Sequence, residues 1–329
     1  MASVHAGHGE QFKRPMLPMD LVPAKRGRFE GGGAGQALVV AGGPQQNQVP
    51  RLSNLQAPIM LCNGHEGEIY TARFSLDGSC FASAGFDMRG HSGAVMDINF
   101  NTDASIIVSA STDKTVRVWD MQTGACQRRF KSHSDIVNAV HPARRGPQLI
   151  CSASDDGCAK VHDIRMKDAV KTYENKYQQT AVTFNDTSDQ VWDMRKDEVA
   201  YVLRGHGDTI TGISLSPDGN YVLSNSMDCS VRTWDVRPFT PADRKGKTYF
   251  GHQHNFEKNL LKCGWSPDGS RITAGSSDRF AYVWEVGSKK ILYKLPGHQG
   301  SVNATDFHPK EPILLSAGSD KRIYLGEIM

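Results

Sequence analysis

"GHGDTITGISLSPDGNYVLSNSMDCSVRTWD", Gly205 to Asp235, decides the architecture. A Gly-His pair opens it. A turn cluster, "SPDGN", follows at Ser216, then an alternating apolar run, a Ser-containing turn that ends in Asp228 and, six residues on, Trp234-Asp235. Short apolar runs separated by Gly, Pro, Asp and Ser clusters are the pattern of antiparallel strands joined by tight turns.

The same order recurs along the chain. Gly-His pairs stand at Gly64-His65, Gly90-His91, Gly251-His252 and Gly297-His298, with Ser132-His133 as a variant. Turn clusters follow at Ser75, Asn101 and Ser266, turn aspartates at Asp113, Asp156, Asp278 and Asp320, and Trp119-Asp120 or Trp284-Glu285 close the better units. His162-Asp163 and Gly326-Glu327 hold that place in weaker ones. A fixed period of about 42 residues marks an array of like units, none of which can bury its faces alone.

Composition fits that reading. The 329 residues are 39% hydrophobic and 22% charged, enough for a large repeat array. Seven scattered cysteines (Cys62, Cys80, Cys126, Cys151, Cys158, Cys229, Cys263) include no CxxC, so neither a disulfide framework nor a zinc site is expected. No apolar run approaches the roughly 18 residues of a membrane span, and "MASVHAGHGEQFKRP" lacks the apolar core of a signal peptide; an intracellular protein is expected.

Charge is unevenly placed. Residues 1–54 hold Lys13, Arg14, Lys25, Arg26, Arg28 and Arg51 against Glu10, Asp20 and Glu30, which accounts for the whole chain's net +3. The remainder is neutral, a poor footprint for binding nucleic acid by phosphate neutralisation, so protein partners are expected. The stretch "EGGGAGQALVVAGGPQQNQVP" has too little apolar periodicity to offset the entropy of folding, and residues 1–54 are expected to form a disordered basic arm rich in Gly, Pro and Gln. Lys25, Arg26 and Arg28 within it form a candidate nuclear-import cluster, the alternative being a solvated basic patch.

A hydrolase-like trio recurs too: His91, Ser109 and Asp113 with Trp119, and His206, Ser224 and Asp228 with Trp234. A catalytic triad is needed once, whereas a fold constraint is needed in every unit. The repetition argues for a buried hydrogen-bond chain from indole to hydroxyl to imidazole to carboxylate, sparing about 1–3 kcal/mol for each polar group left unpaired. No catalytic, cofactor or metal site is expected; His252-x-His254 is read as strand or loop structure rather than as ligands, and the sequons at Asn185 and Asn303 as unmodified.

With these repeats the chain resembles the WD-repeat β-propellers over residues 55–329, which implies an all-β ring of four-stranded blades, strand a innermost and strand d outermost. Seven blades are expected, blades 1 and 4 truncated, with Ile59 to Cys62 supplying the last blade's outer strand. The stretches "LQAPIMLCNGHEGEIYTARF", "HPARRGPQLICSASDDG", "WDVRPF" and "KKILYKLPGHQGSVN" are similar to the WD-repeat proteins of the spliceosomal U5 small nuclear ribonucleoprotein (U5 snRNP). That resemblance implies a nuclear, non-catalytic scaffold in pre-mRNA splicing, bound to the particle's large scaffold protein and RNA helicase, with RNA reached only through the particle. The competing reading is a substrate receptor of a cullin-RING ubiquitin ligase, because Val231 to Arg237 and Trp192 to Arg195 match the WDxR box of such propellers.

Two joins depart from the family pattern. His65 to His91 is 26 residues where about 42 are normal, and His133 to His206 is 73 where two periods need about 84. The first join, between Asp87 and Gly90, drops strands c and d. The second, between Gln190 and Val191, drops b and most of c. Each loss is a two-stranded excursion, so later strands keep their direction. Strand b at Cys80 to Ala84 is then expected to be an exposed edge, and Val199 to Arg204 is expected to pair with the strand a before the second join. Basic residues after the turn aspartates, Lys114, Arg279 and Lys321, are candidate partner-binding positions at the channel mouth.

Overall fold

The computed structural model describes residues 20–23, 53–86, 90–144, 146, 148–184, 192–194, 198–238, 240–241 and 243–328. Strands β1 (Asp20–Pro23) and β2 (Ile59–Asn63) precede β3 (Ile69–Phe74) and β4 (Cys80–Gly85). Two four-stranded sheets come next: β5 (Val95–Phe100), β6 (Ile106–Ser111), β7 (Val116–Asp120) and β8 (Cys126–Phe130), then β9 (Val137–Pro142), β10 (Leu149–Ser154), β11 (Cys158–Asp163) and β12 (Ala169–Glu174). After β13 (Trp192–Asp193) and β14 (Glu198–Val199), two more follow: β15 (Ile210–Leu215), β16 (Tyr221–Ser226), β17 (Ser230–Asp235) and β18 (Lys245–Tyr249), and β19 (Cys263–Trp265), β20 (Arg271–Ala274), β21 (Ala281–Glu285) and β22 (Ile291–Leu295). Strands β23 (Val302–Phe307), β24 (Ile313–Gly318) and β25 (Arg322–Glu327) pair in series, and β2 completes that sheet by running antiparallel to β25 from Ile59↔Gly326 to Asn63↔Arg322. Ends of the array thus close on each other, which removes two edges.

Hydrophobic periodicity explains the layering. Every residue of β6 and β24 is buried, whereas β8 and β22 on the outside are mostly exposed. Apolar clusters lie between neighbouring sheets. Ile69, Phe74 and Phe81 pack with Leu315, Ala317 and Leu325; Ala82 and Ala84 pack with Ile98, Phe100 and Ile107 on the other side of the same sheet. Side-chain amides stitch the inner strands around the ring: Asn99 donates to the Val140 carbonyl (2.7 Å) and Asn303 to that of Ile69 (2.7 Å).

Five four-stranded sheets stand among the described residues, together with one three-stranded sheet, β1-β4-β3, and the two-stranded ribbon β13-β14. Both joins depart from expectation. The β4 edge is not bare, because β1 lies antiparallel on it, Asp20 opposite Ser83 and Pro23 opposite Cys80. At the second join Val199 pairs with Trp192, not with the strand before the join, and residues 180–184 and 200–204 form no strand. Two residues of ladder leave most of that backbone to local contacts, so it does not close into a sheet with 180–184.

Candidate protein-interaction site

A repeated polar set marks one end of the ring. In the β5–β8 sheet the Trp119 indole N–H donates to Ser109 (2.8 Å), the hydroxyl bonds His91 Nε2 (2.7 Å), and His91 Nδ1 meets Asp113 (2.9 Å). Trp234, Ser224, His206 and Asp228 repeat this at 2.7, 2.7 and 2.9 Å. Burial pushes the His91 and His206 pKa values down, against the hydrogen bonds that the rings donate to their aspartates, so both rings are neutral. Burial also opposes ionisation of Asp113, but hydrogen bonds from Thr115, His91 and the Ser92 amide outweigh it and hold the carboxyl well below its usual range. Every donor in the chain is spent on the next acceptor, which leaves the serine no free role as a nucleophile.

Weaker units adapt the same frame. His133 bonds Asp156 and Ser152, and His162 takes the indole's place on Ser152 at 3.0 Å. His298 bonds Asp320 and Ser316, and Tyr324 donates to the Gly297 carbonyl. In the β19–β22 sheet Ala274 stands where the serine would be, so Trp284 donates to the Phe250 carbonyl (3.0 Å) and Asp278 accepts from Tyr282 (2.6 Å). His252 is left buried with neither ring nitrogen hydrogen-bonded, and its pKa falls to about 4 through burial, with His254 beside it adding to the effect. Among the described residues no group of three or more His, Cys, Asp or Glu side chains is placed to hold a metal ion.

Immediately after each turn aspartate the chain enters the left-handed region: Lys114 at φ 66°, Arg279 at 73° and Lys321 at 65°. The turn demands that conformation and, by doing so, presents these side chains outward. All three are exposed. Lys114 is partly committed, since its ammonium donates to the Ser134 carbonyl of the next sheet (2.8 Å). The basic cluster Lys25, Arg26 and Arg28 lies outside the described residues, as does Arg195. Arg237, the last residue of the other WDxR box, is paired with Asp235 and lies 5.5 Å from the centroid of the Tyr221 ring.

Sequence reasoning missed the cavity beside these cations. At the same end, a hollow of about 450 Å³ is lined by Tyr70, Phe86, Met96, Lys258 and Leu260, and Phe256 close by in sequence is 90% exposed. Its hint in the sequence is "NFEKNLL", Asn255 to Leu261, apolar residues in a connection between sheets where a solvated loop needs none. A second hollow of about 370 Å³, with Arg73, His141, Trp265 and Asp306 in its wall, opens at the opposite end of the inner strands. Between them lies a buried ion pair, Lys262 to Asp97 at 3.6 Å. Sheets β1-β4-β3 and β2-β25-β24-β23 separate these two residues around the ring, so the pair spans the central opening.

An array of antiparallel sheets whose first strand closes on its last, four of them pinned by a His, Ser and Asp set, defines a repeat propeller built to present surfaces rather than to catalyse. The model of the WD domain, G-beta repeat, matches residues 56–89, 87–120, 124–163, 197–235, 244–285 and 289–325, and the chain belongs to that family. The "U5 small nuclear ribonucleoprotein 40 kDa protein" of Homo sapiens is 54% identical to it over 97% of this chain and 99% of its own length. The protein of that name in Dictyostelium discoideum is 43% identical over 84% of this chain and 86% of its own. "Pre-mRNA-splicing factor cwf17" of Schizosaccharomyces pombe is 39% identical over 84% and 90%.

Proposed function

We propose that this chain is a non-catalytic scaffold subunit of the U5 snRNP acting in pre-mRNA splicing. The observation that carries this reading is 54% identity along nearly the full length of both chains to a relative named for that particle. Its place is the nucleus, its neighbours are the particle's large scaffold protein and RNA helicase, and its access to RNA runs through them. A body of balanced charge supports binding through protein rather than phosphate.

The ring is read as seven blades over residues 55–329, with blade 1 built of β3 and β4 and blade 4 reduced to residues 180–204, preceded by the arm 1–54. In support, the alignment with the human relative spans 354 positions whereas this chain has 329 residues, so at least 25 positions have no counterpart here. The two shortfalls in the repeat spacing are of that size. Lys114, Arg279 and Lys321 receive an acidic or carbonyl-rich segment at the channel mouth, with apolar side chains of that segment in the hollow beside Phe86 and Leu260. Lys25, Arg26 and Arg28 assist nuclear entry.

The test is purification of the tagged chain from nuclear extract with identification of what accompanies it. U5 proteins are expected; a cullin-RING adaptor in their place would favour the ligase reading and overturn this one. Arg279→Glu with Lys321→Glu, which spares the Lys114 bond to Ser134, is expected to reduce recovery of the particle and its salt dependence. Unchanged recovery would remove the basic ring from the account, and an unchanged nuclear level after alanine replacement of Lys25, Arg26 and Arg28 would remove the arm's role in import.

A further inference from the structure

The first join leaves β4 without the strand that should follow it, yet its outer edge is occupied. Strand β1 pairs with β4 along Asp20↔Ser83, Leu21↔Ala82, Val22↔Phe81 and Pro23↔Cys80, antiparallel, as the absent strand c would be. In the complete sheets that position is filled by the next strand in sequence: β7 on β6, β11 on β10, β17 on β16 and β21 on β20. Here it is filled from a segment some sixty residues upstream, whose closure entropy exceeds that of a tight turn but grows only as the logarithm of length.

We propose that the outer edge of β4 is an intramolecular strand-docking site and that Asp20–Pro23 is the surrogate for the missing strand c, recruited because the edge is vacant. Two features of the segment fit an outermost strand. Pro23 ends it without an N–H to offer, and Asp20 starts it with a charge; both discourage a further chain from adding on. The docking rests on main-chain hydrogen bonds, so it depends on the edge being free rather than on a particular side-chain fit. A chain that carries the c–d hairpin leaves this segment without a place on the sheet.

Backbone hydrogen exchange on the full chain tests this in three forms: as it stands, as Leu21→Pro with Val22→Pro, and with a c–d hairpin inserted between Asp87 and Gly90. Double proline removes whichever of the two N–H groups faces β4. The expected result is at least tenfold faster exchange at alternate amides of Cys80–Gly85 in the proline form, with Val302–Phe307 unchanged. In the hairpin form, residues 20–22 are expected to exchange at the rate of free peptide while β4 stays protected. Equal β4 exchange with and without the prolines overturns the proposal. So does protection of residues 20–22 that persists in the hairpin form. If the proline form unfolds throughout, Val302–Phe307 reports it and the hairpin form alone decides.

Discussion

The two joins remove similar lengths of chain and leave different structures. Around the first, β3 and β4 keep a full ladder and are packed on both sides, against Leu315 and Leu325 on one and Ile98 and Ile107 on the other. Around the second, the described apolar contacts lie with β10, β11 and β12, where Val182, Phe184 and Met194 join Cys151, Val161 and Tyr173. Toward the β15–β18 sheet Thr180 donates to the Ile210 carbonyl at 2.5 Å, and the Arg244 guanidinium lies 3.9 Å from the centroid of the Tyr201 ring. A propeller's cohesion lies between inner strands. Losing an outer pair leaves an edge that another segment can cover, whereas losing strand b takes away half of an inter-sheet core.

That contrast predicts the outcome of repair. Inserting the missing b–c residues between Gln190 and Val191 is expected to raise the unfolding free energy by several kcal/mol, at roughly 1.5–3 kcal/mol for each side chain newly buried. Inserting the hairpin at the first join is expected to give clearly less, because β1 already pairs with β4. Denaturant midpoints of the two repaired chains decide it, and the reverse order would break the comparison.

Phe184, buried at 6%, anchors the chain before the second join. Phe184→Ala is expected to cost about 3–5 kcal/mol and to open 180–204 to limited proteolysis ahead of the rest. Phe81→Ala at the first join removes as large a fully buried ring, but is expected to unfold with the whole ring rather than locally. Matching cleavage patterns would mean the two regions are equally cooperative.

A smaller effect compares the polar sets. Ser109 serves both His91 and Trp119, whereas Ser83 meets His65 (2.8 Å) in a unit whose tryptophan is absent. Ser109→Ala is expected to cost about 1–3 kcal/mol and Ser83→Ala less, since fewer buried groups lose a partner. Thermal midpoints measure the difference.

The last comparison is a pH effect beside the second join. His141 packs near Phe184, with ring centroids 6.5 Å apart. Its Nδ1 is buried without a hydrogen bond, and burial, then Arg144 and Arg73, press its pKa down to about 3 from an ordinary 6.5. The unfolded chain binds that proton first, so stability is full above pH 6.5 and is lost as pH falls from there toward 3, by up to about 1.4 kcal/mol per unit. His162, His252 and His254 contribute in the same direction, so His141→Phe is expected to reduce that slope in unfolding measurements at pH 7 and pH 5. An unchanged slope would place the acid sensitivity elsewhere, with His252 the next candidate.

How much of this the sequence carries depends on range. Strands, turns and the His, Ser, Asp sets are local or recur at a fixed period, so Gly205 to Asp235 read almost as folded, and the closing strand at Ile59 follows from the repeat frame. β1 does not. Four residues, "DLVP", carry no periodicity, and their place is set by a vacancy some sixty residues away. The hollow beside Phe86 and the Lys262 to Asp97 pair were illegible for a related reason: they join side chains from sheets that are not neighbours in the chain, and a lysine in "NLLKCGW" shows its charge but not its partner. The second join was misjudged because strand direction alone allowed Val199 to pair with the strand before the gap, whereas the local turn to Trp192 was the shorter route.

The buried pair between Lys262 and Asp97 ties together sheets that are not neighbours in the ring. Each charge is held away from water by the other, so loosening either sheet leaves the opposite one with a buried, unpaired charge, and the two sides of the ring are coupled by a single contact.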